Sequence, residues 1–142
     1  MGTIIKKAKK NELKEVTNLF LEESNKKPYN QNYTIKTAIS RVDDMFNYGS
    51  IYLAFVDKDI AGFIAIAGEG KKDIYIDEFW LKAKYQRKGV GRKLLKFVEE
   101  KYKKKGAHSI SVMTSKGTGA FKFYKKFKFK ENNKEVILTK SL

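Results

Sequence analysis

The chain has 142 residues, with 31 lysines and arginines against 16 aspartates and glutamates, a net charge of +15 and 42% hydrophobic residues. It is long enough for one domain, residues 1–142, with a sizeable core, and too apolar for a disordered polyelectrolyte. It has no cysteine and a single histidine, His108, which excludes disulfides, thiolate nucleophiles, cysteine-ligated metals and a multi-histidine site, so no metal is expected.

Ile4-Ile5 begins a short strand. Asn11 reads as a helix N-cap, with Leu13, Val16 and Phe20 on one face. A polar connection, Ser24 to Asn32, holds the only proline, Pro28. A second helix follows, with Ile35, Ala38, Ile39, Val42, Met45 and Phe46 at helical spacing, and Asn47-Tyr48-Gly49 ends it. Ile51 to Val56 and Ile60 to Ala67 read as a hairpin across Asp57-Lys58-Asp59, and Asp73 to Leu81 as another strand. The long helix runs from Val90 to about Lys105, and Gly106 stops it. Ile110 to Met113 is a short strand and Thr118 to Lys126 a short helix. Phe129 and Val136 to Thr139 supply the last two strands. The order β-α-α-β-β-β-α-β-α-β-β predicts an α/β fold of mixed character, with a central twisted, mostly antiparallel sheet. No run is long enough to span a bilayer, and the N-terminus has neither a cleavage site nor a lipidation pattern. No membrane partner and a cytoplasmic location are therefore expected.

The charge is unevenly placed. Residues 1–80 carry 12 basic and 12 acidic side chains, whereas residues 81–142 carry 19 and 4, the whole excess. Inside that basic part lies Gln86-Arg87-Lys88-Gly89-Val90-Gly91-Arg92, between a strand and a helix. Glycines let a backbone approach a ligand closely, and the first helical turn leaves N–H donors unpaired. With the helix dipole and the basic neighbours these donors suit phosphate. The run is neither a dinucleotide fingerprint nor a P-loop, so a different phosphate-bearing ligand is indicated. Many of the lysines need no explanation beyond solubility, but the glycines between them do.

Leu81 to Arg92 resembles the acetyl-CoA signature of the GNAT superfamily of N-acetyltransferases, Gln/Arg-x-x-Gly-x-Gly/Ala. Ala120-Phe121-Lys122-Phe123-Tyr124 through Lys128-Phe129 resembles the family's Ala-x-x-Phe-Tyr-x-x-x-Gly-Phe segment, and the element order matches along nearly the whole chain. Two positions depart from the pattern: Gly117 stands where asparagine is usual and Lys128 where glycine is usual.

The resemblance implies acetyl-CoA as cofactor and an amine as acceptor. Main-chain N–H groups from Arg87 to Arg92 (Arg87, Lys88, Gly89, Val90, Gly91 and Arg92) would hold the diphosphate, with Gln86 shaping the loop. Phe79, Trp80 and Leu81 would lie along the pantetheine arm, where the family splays the two neighbouring strands. Main-chain groups of Phe79 and Leu81 would pair with it, and an N–H near Leu81 would face the thioester oxygen. Tyr124 sits where the family places its general acid. Asp77 and Glu78 are the candidate bases. Strict alternation puts them on opposite faces, Asp77 with Phe79 and Leu81, Glu78 with Ile76 and Trp80, unless a bulge intervenes.

The first two helices and the tyrosines Tyr29, Tyr33 and Tyr48 would build the acceptor site, with Asp43, Asp44 and Asp73 favouring a cation locally. Two other functions compete with direct acetyl transfer. One is a nucleic-acid-binding basic module, supported by charge and by the aromatics of residues 121–129 but by no nucleic-acid motif. The other is an acyl-CoA sensor that transfers nothing. No specific nucleic acid is expected, and either a monomer or a homodimer is compatible with the sequence.

Overall fold

A computed structural model describes residues 2–142. A five-stranded sheet runs β1 (Thr3–Lys7), β2 (Ser50–Val56), β3 (Asp59–Ala67), β4 (Asp73–Leu81), β5 (Ser109–Val112), in that spatial order. The first four strands are antiparallel and β5 joins β4 in parallel. Helices α1 (Leu13–Asn25) and α2 (Ile35–Tyr48) cover one face, and α3 (Val90–Lys104) and α4 (Gly119–Lys126) the other. The central strands β2 and β3 are buried almost end to end, as their continuous apolar runs require when both faces are covered.

Local chemistry sets most boundaries. A hydrogen bond from the Lys9 N–H to the Glu12 carboxylate, 2.8 Å, starts a 3-10 turn over Lys10–Glu12. The first helix therefore begins at Leu13, two residues past the Asn11 cap read from sequence. Thr34 caps α2 and Thr118 caps α4, each hydroxyl accepting an N–H three residues on at 3.1 Å. Two left-handed residues, Asp57 and Lys58, make the two-residue β2–β3 turn.

The two terminal strands expected at Phe129 and Val136–Thr139 do not form. Phe129 is instead caught by the end of α4: its N–H donates to the Tyr124 carbonyl at 3.0 Å and its ring lies 5.2 Å from that of Tyr124. Lys128 makes this possible by adopting φ +70°, the conformation that the usual glycine there would favour. Val136, Ile137 and Leu138 are exposed, at 77%, 72% and 89%. Strand propensity needs a neighbour to pair with, and these residues have none among those described. No described helix is long and apolar enough to cross a membrane.

Candidate active site

The parallel pairing of β4 with β5 stops at Ile76 opposite Val112, while β4 runs on to Leu81 beside β3 alone. The two strands part there, and a cleft of about 1060 Å³ opens between them. Its walls come from β4, from the loop after β5, from α4, from the end of α1 and from the start of α3.

A bulge sits at the mouth of this opening. Ile76 pairs with Ile66 and Glu78 with Ala65, so Asp77 is the extra residue. It reverses the alternation read from sequence. Glu78 does share a face with Trp80, toward α1 and α2, but Ile76 does not; Ile76 lies with Phe79 and Leu81 over the other core. Lys82 N–H donates to the Ala61 carbonyl at 2.8 Å. By antiparallel alternation the main-chain groups of Trp80 also face β3, and those of Phe79 and Leu81 point away from it, into the cleft. The Leu81 carbonyl is taken by the Gln86 amide at 3.1 Å. Trp80 lines the cleft through its side chain, which belongs to the α1–α2 side.

The far end of the cleft is made of backbone. Arg87 and Gly89 are left-handed, at φ +61° and +83°. Gly89 is the N-cap of α3 and offers no side chain to its donors. The first bond of the helix is Lys93 N–H to Gly89 carbonyl, 3.1 Å, so the N–H groups of Val90, Gly91 and Arg92 have no partner within the helix. A Cβ on Gly89 would meet nothing within 4 Å, so room remains beyond the turn. Gly91 sits closer to its neighbours: a Cβ there would lie 3.3 Å from Leu81 Cδ1 and 3.4 Å from Phe123 Cε1, so α3 packs near both side chains at this turn. Gln86, Arg87, Gly89, Gly91 and Arg92 line the cleft. Lys88 does not and is exposed; the Val90 side chain is in the core at 3% exposure.

The near end is made of side chains. Glu78 receives Trp80 Nε1–H at 2.7 Å and the Arg41 guanidinium at 3.0 and 3.1 Å, and Arg41 also reaches the Asp77 carbonyl at 3.2 Å. Burial pushes the Glu78 carboxyl above its ordinary value, by more than Trp80 and Arg41 bring it down. Asp77 lines the cleft and pairs with no cation among the described residues. Tyr29 stands edge-on to Trp80, with ring centroids 5.0 Å apart, and its hydroxyl accepts the Ala120 N–H of α4 at 3.1 Å. Tyr124 is 7% exposed and lines the cleft. Its phenol is pushed well above the ordinary value, first by burial and then by Tyr29 and Glu78.

Several acceptor-side expectations are corrected. Asp43 and Asp44 are exposed on α2 and Asp73 bonds Ser109 at 2.6 Å; none of the three lines the cleft. Tyr33 packs against Phe20 at 4.7 Å and Tyr48 is 84% exposed, so only Tyr29 of the three tyrosines borders the cleft. Arg41 and Glu23 went unnoticed in the sequence. Glu23, 7% exposed, borders the cleft and bonds Lys26 at 2.8 Å. Arg41 meets Glu78, 37 residues along the chain, and Glu23 accepts from the Gln86 amide, 63 residues along the chain, at 3.4 Å; no local motif marks either contact.

The sequence profile of the acetyltransferase (GNAT) family matches residues 11–129. No curated protein matches the chain by sequence. Among solved structures, a possible acetyltransferase from Clostridium difficile 630 is similar, with TM-score 0.82, 12% identity, and 99% of this chain and 98% of that one covered. The ribosomal-protein-alanine N-acetyltransferase of Brucella melitensis biovar Abortus 2308 gives TM-score 0.76 at 12% identity, covering 99% of each chain. The aminoglycoside N-acetyltransferase AAC(6')-Iy, in complex with CoA, gives TM-score 0.76 at 16% identity, covering 99% and 95%.

Proposed function

The chain belongs to the GNAT acetyltransferase family, and on that footing we propose that it transfers an acetyl group from acetyl-CoA directly to a primary amine within a ternary complex. One observation carries the reading: the uncapped start of α3 and the Tyr124 phenol border the same cleft between parted strands. The free N–H groups of Val90, Gly91 and Arg92, with the Arg87 and Arg92 side chains near them, suit a diphosphate. The CoA in the complex of AAC(6')-Iy lends support.

Bound acetyl-CoA supplies an activated acyl carbon and a thiol leaving group. The remaining work falls to this chain. The cleft-facing main-chain groups of Phe79 and Leu81 give an extended arm a strand-like partner, and an N–H there stabilises an oxygen gaining charge. An alkyl ammonium, pKa about 10, must lose a proton before its nitrogen can attack. Asp77 is the base for that proton, directly or through water. Glu78 has both oxygens engaged and shapes the acceptor wall. Burial keeps the Tyr124 phenol protonated, and it would pass that proton to the departing sulfur and regain one, directly or through water, from the amine nitrogen as the amide forms; a thiol pKa of about 8.5 already makes the sulfur a fair leaving group. The Trp80 and Tyr29 rings, which line the same cleft as Asp77, suit a cationic amine. A cytoplasmic setting belongs to the same proposal.

The half-buried Phe123, Phe127 and Phe129 pack against the core rather than presenting faces for base stacking, which disfavours the nucleic-acid reading. The test is calorimetric titration with acetyl-CoA, then thiol release with a panel of amines, peptides and aminoglycosides. Saturable binding and release with at least one acceptor are expected. No binding at millimolar acetyl-CoA would refute the proposal, and binding without release under any acceptor would favour the sensor.

A further inference from the structure

We propose that Asp59, outside the cleft at the β2–β3 turn, is a positioning residue for the diphosphate-binding loop; this rests on the acetyl-CoA reading above. Its carboxylate collects three donors from one short segment: Lys82 Nζ at 2.8 Å, the Tyr85 hydroxyl at 2.9 Å and Lys84 Nζ at 3.4 Å. That segment, Lys82 and the single 3-10 turn over Ala83–Tyr85 that it precedes, connects β4 to the left-handed Arg87. Lys82 N–H ties its start to the Ala61 carbonyl at 2.8 Å, and beyond that its backbone restraints are two local bonds, Tyr85 N–H to Lys82 carbonyl at 2.9 Å and Gln86 N–H to Ala83 carbonyl at 3.2 Å. The Tyr85 ring is buried in the core under α3, and its hydroxyl ends on Asp59. A two-residue hairpin turn with both central residues left-handed is a rigid anchor. Asp59 thus fixes where the loop begins, two residues before Arg87 turns and a few before the free amides of α3.

A second consequence concerns charge. Lys82 and Lys84 are drawn to Asp59 and neither lines the cleft, whereas Arg87 and Arg92 do. Asp59 sorts the basic cluster into cations that face the ligand end and cations that do not. The hydrogen bond from Lys82, followed by that from Tyr85, holds the Asp59 carboxyl at about 2 against the opposing effect of burial, so it stays ionised wherever the protein works.

Trp80 is the only tryptophan and lines the cleft, so its fluorescence reports occupancy. CoA and pantetheine, which lacks the diphosphate, are titrated into the parent, Asp59→Asn and Tyr85→Phe. Charge-assisted bonds at a part-exposed site predict that Asp59→Asn weakens CoA about tenfold and pantetheine less than about twofold. Tyr85→Phe keeps the buried ring, loses one donor, and is expected to weaken CoA about threefold with pantetheine again unaffected. Unchanged or tighter CoA binding in Asp59→Asn, or equal losses for both ligands, overturns the inference. Should Asp59→Asn fail to fold, Tyr85→Phe decides by the same two outcomes. A parent protein that binds neither ligand overturns the acetyl-CoA reading itself.

Discussion

The two ends of the cleft are built by different means. At the α3 end the groups aimed inward are main-chain amides, set by Arg87 and Gly89 in left-handed conformations. At the β4 bulge they are side chains: Asp77, Glu78 (held by Arg41 from outside the cleft), Trp80, Tyr29 and Tyr124. An end made of backbone depends on local turn chemistry and tolerates side-chain change outside its glycines. An end made of side chains depends on contacts between residues far apart in sequence. The first is suited to gripping one invariant group, the second to being altered for different acceptors.

Substitutions at the two ends should therefore fail differently. Gly89→Asp places a side chain at φ +83° and a negative charge at the amide cluster. Strain and repulsion together predict a loss of about two to three orders of magnitude in acetyl-CoA affinity by calorimetry, and a loss below about threefold would break the contrast. Tyr124→Phe should lower turnover by about two orders of magnitude, the low end for a general acid, with acetyl-CoA affinity within about twofold; an equal fall in affinity would erase the division between gripping and reacting. Arg41→Ala leaves the buried Glu78 carboxylate without its cation, and urea denaturation should show about 2 kcal/mol of lost stability.

The smallest effect is a pH dependence. The Asp59 carboxyl, held at about 2, has a folded value below its unfolded one of about 3.9. Its contribution to stability is fully present above the unfolded value and is lost as pH falls through the folded one. Because Lys82 and Asp59 are each about a third exposed, solvent screening keeps the effect small. Melting temperatures of the parent and Asp59→Asn should differ by about two degrees near pH 6 and converge near pH 2.

The contrast between the ends also explains how far the sequence could be read. Gln86 to Arg92 announces itself because glycine spacing, helix start and basic flanks are all local. The helices followed from periodicity and caps, within a residue or two. The bulge at Asp77 left no mark, since it depends on how β3 and β4 pair, and the face assignment of Ile76 against Glu78 was reversed with it. Arg41 is an ordinary helix arginine until the fold brings it to Glu78, 37 residues away. Val136–Thr139 has strand composition, but composition cannot provide a neighbouring strand.

The most direct test of the central claim is a crystal structure with CoA bound. The account predicts the diphosphate within hydrogen-bond reach of the N–H groups of Val90, Gly91 and Arg92, with the pantetheine arm between β4 and β5. A diphosphate held by lysine side chains on the outer faces of α3 or α4, with those amides untouched, would contradict it.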